Sequence, residues 1–313
     1  MYDLTDEKRI IMKMSLKYNE VESAAAAYQW FCKLVNEEGD YVTSRGEQTK
    51  EVLNAGVLIK NIRDRVIPIS NFNERFILQE TYDILNENQP RVMHSKEMLE
   101  KTMGNSNNIM FFGNEMRQAF SRWSLLRIKT LFEKDKFTRK AILDLGNRRP
   151  IVHAPCMIYA HFIIRDNALH MLAETRGTEV SMGFVNDIYF YTIIQELMYN
   201  WLLETYPDLE LGTFLYKTTS LHYFTNKDGG PLWSQDFIKS DRGGYFITDL
   251  TYRDYIAEMG VLYHYVDAYM KAGEREDVDA GIITTYRDLK NPDPGNFKQP
   301  FFYNWAKILT YHE

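Results

Sequence analysis

The segment "VHAPCMIYAHFIIRDNALHMLAET" (Val152–Thr175) is where the apolar pattern of the chain changes from a helical period to a period of two. Apolar side chains alternate along "CMIYAHFII" and again along "LHMLAET", and the turn-forming "RDNA" separates the two runs, so the segment predicts a β-hairpin. Cys156, one of only two cysteines, stands at the start of the first run. A cysteine there has two readings. It can be a small buried strand residue, or a thiolate nucleophile.

On either side of the hairpin the pattern is mostly helical. Thr5 to about Asn36 predicts helix, with "VESAAAAYQWFCKLV" supplying high propensity and an apolar face that includes Cys32, read as core filler. After the polar connection "NEEGDYVTSRGEQ", the stretch "TKEVLNAG" predicts a short helix capped by Gly56. "NERFILQETYDIL" and "NEMRQAFSRWSLLRIKTLFEKDKF" predict two more. Beyond the hairpin, "NDIYFYTIIQELMYNWLLETY" reads as a long helix and "FLYKTTSLHYF" as a strand. A Gly-rich loop, a helix from about Tyr252 to Lys271 and a Pro-rich aromatic tail complete the chain. No repeat or linker divides it, so a single α+β domain with appended helices is expected.

The 313 residues carry a net charge of -6 and a pI near 5.7. Such a balance argues against a nucleic-acid surface, so any anion must be held by a local cluster of Arg and Lys, which suits a small phosphate ligand. Neither a disulfide framework nor a CxxC metal site is present. The stretch "MYDLTDEKRIIMKM" lacks the features of a secretory signal, and the most apolar helix is interrupted by Gln195, Glu196 and Asn200. A cytoplasmic protein without a membrane span or a metal is expected.

"APCMIYAHF", "TRGTEVSMGFVNDI" and "LGTFLYKTTSLHYFTNK" together resemble the thymidylate synthase superfamily. There, a strand bearing Pro-Cys is followed by an Arg-Ser-x-Asp element, a Leu-Gly turn into a helix, and a His-x-Tyr strand. The resemblance runs without a gap from Cys156 to Asn226, is weaker over roughly Val52 to Arg149, and ends beyond. It implies a single thymidylate synthase-like domain over 1–313, with a mixed β-sheet forming a dimer interface among surrounding helices. The N-terminal segment (about 1–45) would be a helical extension and 251–313 a divergent helical segment.

It also implies roles. Cys156, after Pro155, matches the nucleophile that adds to C6 of the pyrimidine, turning C5 into a carbon nucleophile for the one-carbon unit of 5,10-methylenetetrahydrofolate. Arg176 matches an arginine that holds the nucleotide phosphate and lowers the thiol pKa. Glu80 matches the glutamate that organises water and shuttles protons, and His222 the histidine that contacts the sugar. Glu179 stands at the aspartate facing the pterin, and Gly183 at the glycine of the turn. Arg63 matches the phosphate-loop arginine, with Arg65 close enough to compete. Arg139 and Lys140 match the pair that each subunit of a homodimer lends to its partner's site, so that several cations converge on one phosphate.

The departures sharpen the chemistry. Asp187 falls where the synthases read uracil with asparagine, although a slip of one residue would put Asn186 there. An amide satisfies the N3 donor and O4 acceptor of uracil, whereas a carboxylate accepts from the 4-amino group and protonated N3 of cytosine. Facing O4, it would be left unpaired, a penalty of a few kcal/mol. The exchange resembles that of the cytidylate hydroxymethylases, in which water instead of hydride completes the reaction. The helix dipole offers a purely structural reason for a carboxylate at Asp187.

The family's phosphate loop is missing after Arg63, Met157 replaces a histidine, and Phe112 and Met116 replace Tyr and Trp. Gly177 stands for a phosphate-binding serine and Phe224 for the Tyr of His-x-Tyr, leaving room for a ribose hydroxyl and favouring CMP over dCMP. A CMP or dCMP 5-hydroxymethylase is expected, with an atypical thymidylate or uridylate synthase and a non-catalytic nucleotide-binding relative as alternatives.

Overall fold

A computed structural model describes residues 15–44, 46–69, 77–78, 81–82, 85, 122–144, 156–225, 250–273, 293–298 and 300–310. The described chain forms two compact units, one built on residues 1–72, 127–195 and 208–244, the other on 73–126, 196–207 and 245–313.

The first unit is a mixed sheet covered by helices. Its strands are β1 (Lys17–Val21), β2 (Asp40–Ser44), β3 (Glu47–Ile59), β4 (Ile142–Asp144), β5 (Met157–Arg165), β6 (Ala168–Thr175), β7 (Thr178–Glu179) and β8 (Glu210–Phe224). The order is β1-β3-β8-β6-β5-β4, with β2 added to β3 and β7 to β8. The predicted hairpin is β5–β6, and Asp166 and Asn167 make its turn at φ 49° and 60°. Both residue types tolerate this left-handed conformation, which matches the twist of a two-residue hairpin. Asn167 then ties the turn to the next strand: its carbonyl accepts from Glu210 N at 2.9 Å and its Nδ2 donates to Asp208 O at 2.5 Å.

Helix α1 (Ala24–Glu38) begins with Ser23, whose hydroxyl accepts from Ala26 N at 3.2 Å, an N-cap. Its Phe31 meets Phe184 of α3 (Gly183–Leu202) at 4.8 Å, and Phe184 meets Tyr216 of β8 at 5.2 Å, both edge-on. These rings, with Ala55, Val57, Phe162, Met171 and Ala173 from the sheet, form the buried core. Helix α2 (Arg122–Lys134) carries Phe132, also buried.

Two expectations are corrected. The helix expected from Thr5 is interrupted by β1 at Lys17–Val21, and β2 lies in the same N-terminal stretch, so the segment contributes strands to the main sheet. "TKEVLNAG" is strand as well: β3 pairs with β1 on one side and β8 on the other, and Gly56 lies mid-strand opposite Tyr18 and Lys217. Two-sided pairing with Ala55, Gly56 and Val57 all buried outweighs the modest helix propensity of Glu, Leu and Ala. The helix expected at "NERFILQETYDIL" lies largely outside the described residues.

In the second unit, α4 (Tyr252–Gly273) begins where expected, with Thr251 accepting from Asp254 N at 3.0 Å and donating to the Asp254 carboxylate at 2.8 Å. Trp201, from the last turn of α3, packs on Tyr252 and Tyr255 at 5.1 and 5.0 Å. Helix α5 (Pro300–Thr310) buries Phe301, Phe302 and Trp305, whose indole donates to Leu78 O at 3.1 Å. No helix among the described residues is long and apolar enough to cross a membrane.

One close approach sets the start of β8. A Cβ on Gly212 would lie 2.7 Å from both Leu169 O and His170 Nδ1, at the point where the β6–β8 register shifts. Gln195 of α3 braces the same point, its Nε2 donating to Leu169 O, Gly212 O and Thr213 O at 2.9–3.2 Å. Gly212→Ala is expected to destabilise the fold by about 1–3 kcal/mol, read as a lower urea midpoint at an unchanged slope.

Candidate active site

Cys156 sits in a bend just ahead of β5, not within it, and is partly exposed. Its carbonyl accepts from Arg176 N at 2.7 Å, so the mouth of the hairpin holds the thiol-bearing residue and the arginine side by side on the backbone. The register slips between Met157 and Tyr159, a bulge of the kind that re-aims side chains at sheet ends. Arg176 is exposed and Met157 is buried. Cys32 has a different setting: it is 4% exposed, and burial pushes its thiol up to about 12.

After Arg176 the chain makes β7, which pairs with β8 so that Glu179 lies opposite His222. The Glu179 carboxylate then turns to the start of α3. Oε1 accepts from Ser181 N and Oγ at 2.8 and 2.6 Å, and Oε2 accepts from Met182 N at 2.7 Å. An anion at this position complements the exposed N–H groups of the helix start. Gly183 opens the helix, with room for a Cβ at 3.8 Å from both Glu179 and Thr178.

Asp187 follows one turn into α3, half-buried, and its Oδ2 accepts from Tyr216 OH at 2.6 Å. The Tyr216 hydroxyl is also 2.6 Å from Thr178 Oγ1, which is 2.7 Å from Thr175 Oγ1. Burial, and next the Asp187 charge, hold the Tyr216 phenol well above its ordinary pKa. One turn further along, buried Tyr191 is raised too, by burial first and then by the charges of Asp187, Tyr216 and Cys156. The backbone N–H of Asn186 donates to Met182 O at 3.0 Å.

His222 anchors a second polar group. Ser220 Oγ donates to Glu51 Oε1 and lies 3.2 Å from His222 Nδ1. A serine has one proton to give, and here it goes to the carboxylate, so its oxygen accepts from Nδ1–H and leaves Nε2 of the imidazole as an acceptor. Burial lowers the His222 pKa, with the Glu179 and Glu51 charges opposing, so the ring is neutral at neutral pH. Phe224 packs edge-on against it at 5.5 Å. Gly177 borders the same space: a Cβ there would stand 3.8 Å from Ser220 Cβ and 4.0 Å from His222 Cε1.

The remaining cations are spread more widely. Arg63 is half-buried in the loop after β3, while Arg65 is buried to 1% exposure. Arg139 and Lys140 are exposed just before β4, the edge strand at the opposite end of the sheet from β1. Glu80, Pro155, Phe112 and Met116 lie outside the described residues. Sequence reasoning missed Tyr216, Thr175, Thr178, Tyr191, Ser220 and Glu51. Tyr216 and Ser220 share the parity of His222 along β8, and that signal was available. Glu51 needed the β3–β8 register.

Neither the family models nor the curated protein sequences contain a match to this chain. Among solved structures, the thymidylate synthase of T4 phage superposes with a TM-score of 0.52 at 15% identity, covering 64% of this chain and 77% of that one. The chain has a thymidylate synthase-like fold. The α+β class expected from the sequence and the mixed sheet implied by the resemblance are both present.

Within this fold the two thiols are expected to separate cleanly in alkylation. Iodoacetamide at neutral pH should label Cys156 in the folded protein and leave Cys32 unmodified until the chain is denatured, as read by peptide mass spectrometry. Equal labelling of both in the native state would contradict this geometry.

Proposed function

We propose that the protein is a pyrimidine nucleotide 5-hydroxymethylase acting on CMP, or on dCMP, with 5,10-methylenetetrahydrofolate as one-carbon donor. The observation that carries the reading is the Tyr216 hydrogen bond to Asp187, which holds a carboxylate one turn into α3. A carboxylate facing the pyrimidine edge accepts two hydrogen bonds from a cytosine protonated at N3, and repels O4 of uracil.

In the proposed reaction the Cys156 thiolate adds to C6 of the ring, and C5 gains the electron density needed to attack a one-carbon electrophile. The folate supplies that carbon. Loss of the C5 proton to a base and cleavage of the carbon–nitrogen bond to the folate then release tetrahydrofolate and leave an exocyclic methylene on C5. Water then adds to the exocyclic methylene at C5 while the C6–S bond breaks, returning the Cys156 thiolate and giving the 5-hydroxymethyl product. Asp187 would retain the proton relationship with N3 throughout. Arg176 serves the phosphate. Glu80 keeps the proton-shuttling role that the resemblance implies.

For the sugar, the acceptor Nε2 of His222 suits a hydroxyl donor, and the space beside Gly177 and Phe224 suits the additional hydroxyl of ribose. For the folate, Glu179 already accepts three of the roughly four hydrogen bonds a carboxylate can take. One direction remains for a pterin N–H, and Gly183 leaves space beside it. No metal is needed in this scheme.

A homodimer completes the scheme, with Arg139 and Lys140 lent to the partner's nucleotide phosphate. Two features favour it. Both residues are exposed at the far edge of the sheet. The sheet face away from α3 also presents half-buried Leu58, Ile163, Leu172 and Leu215 around a Tyr159–Glu174–Lys217 bridge with bonds of 3.0 and 3.2 Å.

CMP, dCMP, UMP and dUMP offered together with methylenetetrahydrofolate should yield a hydroxymethylated cytidylate and tetrahydrofolate by mass spectrometry. Methylated uridylate with dihydrofolate would instead make the protein a methylase. Cys156→Ala should abolish turnover. Asp187→Asn should move preference from cytosine to uracil nucleotides by about tenfold or more, the scale of one charged hydrogen bond.

A further inference from the structure

We infer that Tyr216 is a positioning residue for base selection, delivering the end of a one-way hydrogen-bond chain, Thr175 to Thr178 to Tyr216 to Asp187, that holds Asp187 as an acceptor-only carboxylate. This role rests on the cytosine-reading function proposed for Asp187. Each link is short: 2.7 Å between the threonine hydroxyls, 2.6 Å from Thr178 to Tyr216, and 2.6 Å from Tyr216 to Asp187 Oδ2.

The direction of the chain follows from proton counting. A phenol has one proton, and Tyr216 donates it to Asp187, so its oxygen accepts from Thr178. Thr178 has then spent its own proton and accepts from Thr175. Every donor points towards Asp187. Reversing the chain requires a protonated Asp187, whose O–H would then donate to Tyr216. All three hydroxyl-bearing residues are at most 2% exposed, so water does not compete for these bonds.

The placement is specific. Thr175 ends β6 and Thr178 begins β7, on either side of Arg176 and Gly177, while Tyr216 lies in the middle of β8 and Asp187 on α3. The chain therefore joins the phosphate side of the site to the base side through four elements. Asp187 and Tyr191 on α3, Tyr216 on β8 and Cys156 ahead of β5 are among the described ionisable groups gathered there. Hydrogen-bond donation from Tyr216 favours the charged form of Asp187. Only that form discriminates by repulsion: a protonated carboxyl presents one donor and one acceptor, like the amide that suits uracil.

Tyr216→Phe removes the last donor and keeps the ring packing. The test is calorimetric binding of CMP and UMP to the full-length protein from pH 5 to 8. In the variant, the CMP-over-UMP preference should fall about 10- to 100-fold, the scale of a hydrogen bond to a charged group. The acidic limb of CMP binding should also move to higher pH, because an ionised carboxylate that loses a donor is protonated more easily. Thr178→Val should shift both readouts in the same direction by less, and Thr178→Ser, which keeps the hydroxyl, should restore them.

Because these readouts are a selectivity ratio and a pH profile, a loss of packing alone would leave them unmoved, and matched thermal melts identify any variant that fails to fold. A wild-type preference for CMP that survives Tyr216→Phe and Thr178→Val with an unchanged pH limb overturns the role of Tyr216 alone. A wild-type protein that does not prefer cytosine overturns the proposed function itself.

Discussion

Strand β8 is the constraint on which the rest of the structure depends. It must run antiparallel to β3 on one side and parallel to β6 and β7 on the other, and both pairings must hold their register over most of its length. Parallel pairing to β6 requires a long connection, which α3 supplies, packing back on the sheet. The close contact at Gly212 and the three carbonyls gathered by Gln195 lock the start of that pairing. From this start, strand geometry sends Tyr216, Ser220, His222 and Phe224 to one face.

The site itself is built from short polar links in buried surroundings, where an unpaired group is expensive and a paired one rigid. Two carboxylates have opposite duties. Glu179 accepts backbone amides at the start of α3 and fixes how the helix meets β7. Asp187, one turn beyond, meets a buried phenol. Similarly, the two cysteines differ because one faces the mouth of a hairpin and the other the core between α1 and the sheet. Location, not residue type, separates the partly exposed thiol from the buried one.

Much of the fold was legible locally. The alternation around "RDNA" predicted the hairpin, and the run after Gly183 predicted the long helix, because turn chemistry and apolar period agree there. It failed at "TKEVLNAG", whose composition suits a helix and whose apolar residues do not alternate, so that only its pairing with neighbouring strands marks it as a strand. Lys17–Val21 failed for a related reason: its strand character comes from pairing with β3, which no local window contains.

By itself, the sequence determined which chemistries were available: a cysteine at a strand start, an arginine after the hairpin, an aspartate in a helix and a histidine on a strand. Tertiary structure decided which of them meet. Tyr216 reaches Asp187 across separate elements, and Glu51 reaches Ser220 from a strand paired far away in sequence. Neither contact has a local signature, since each depends on strand register and helix position, and these are set by the packing of the whole sheet.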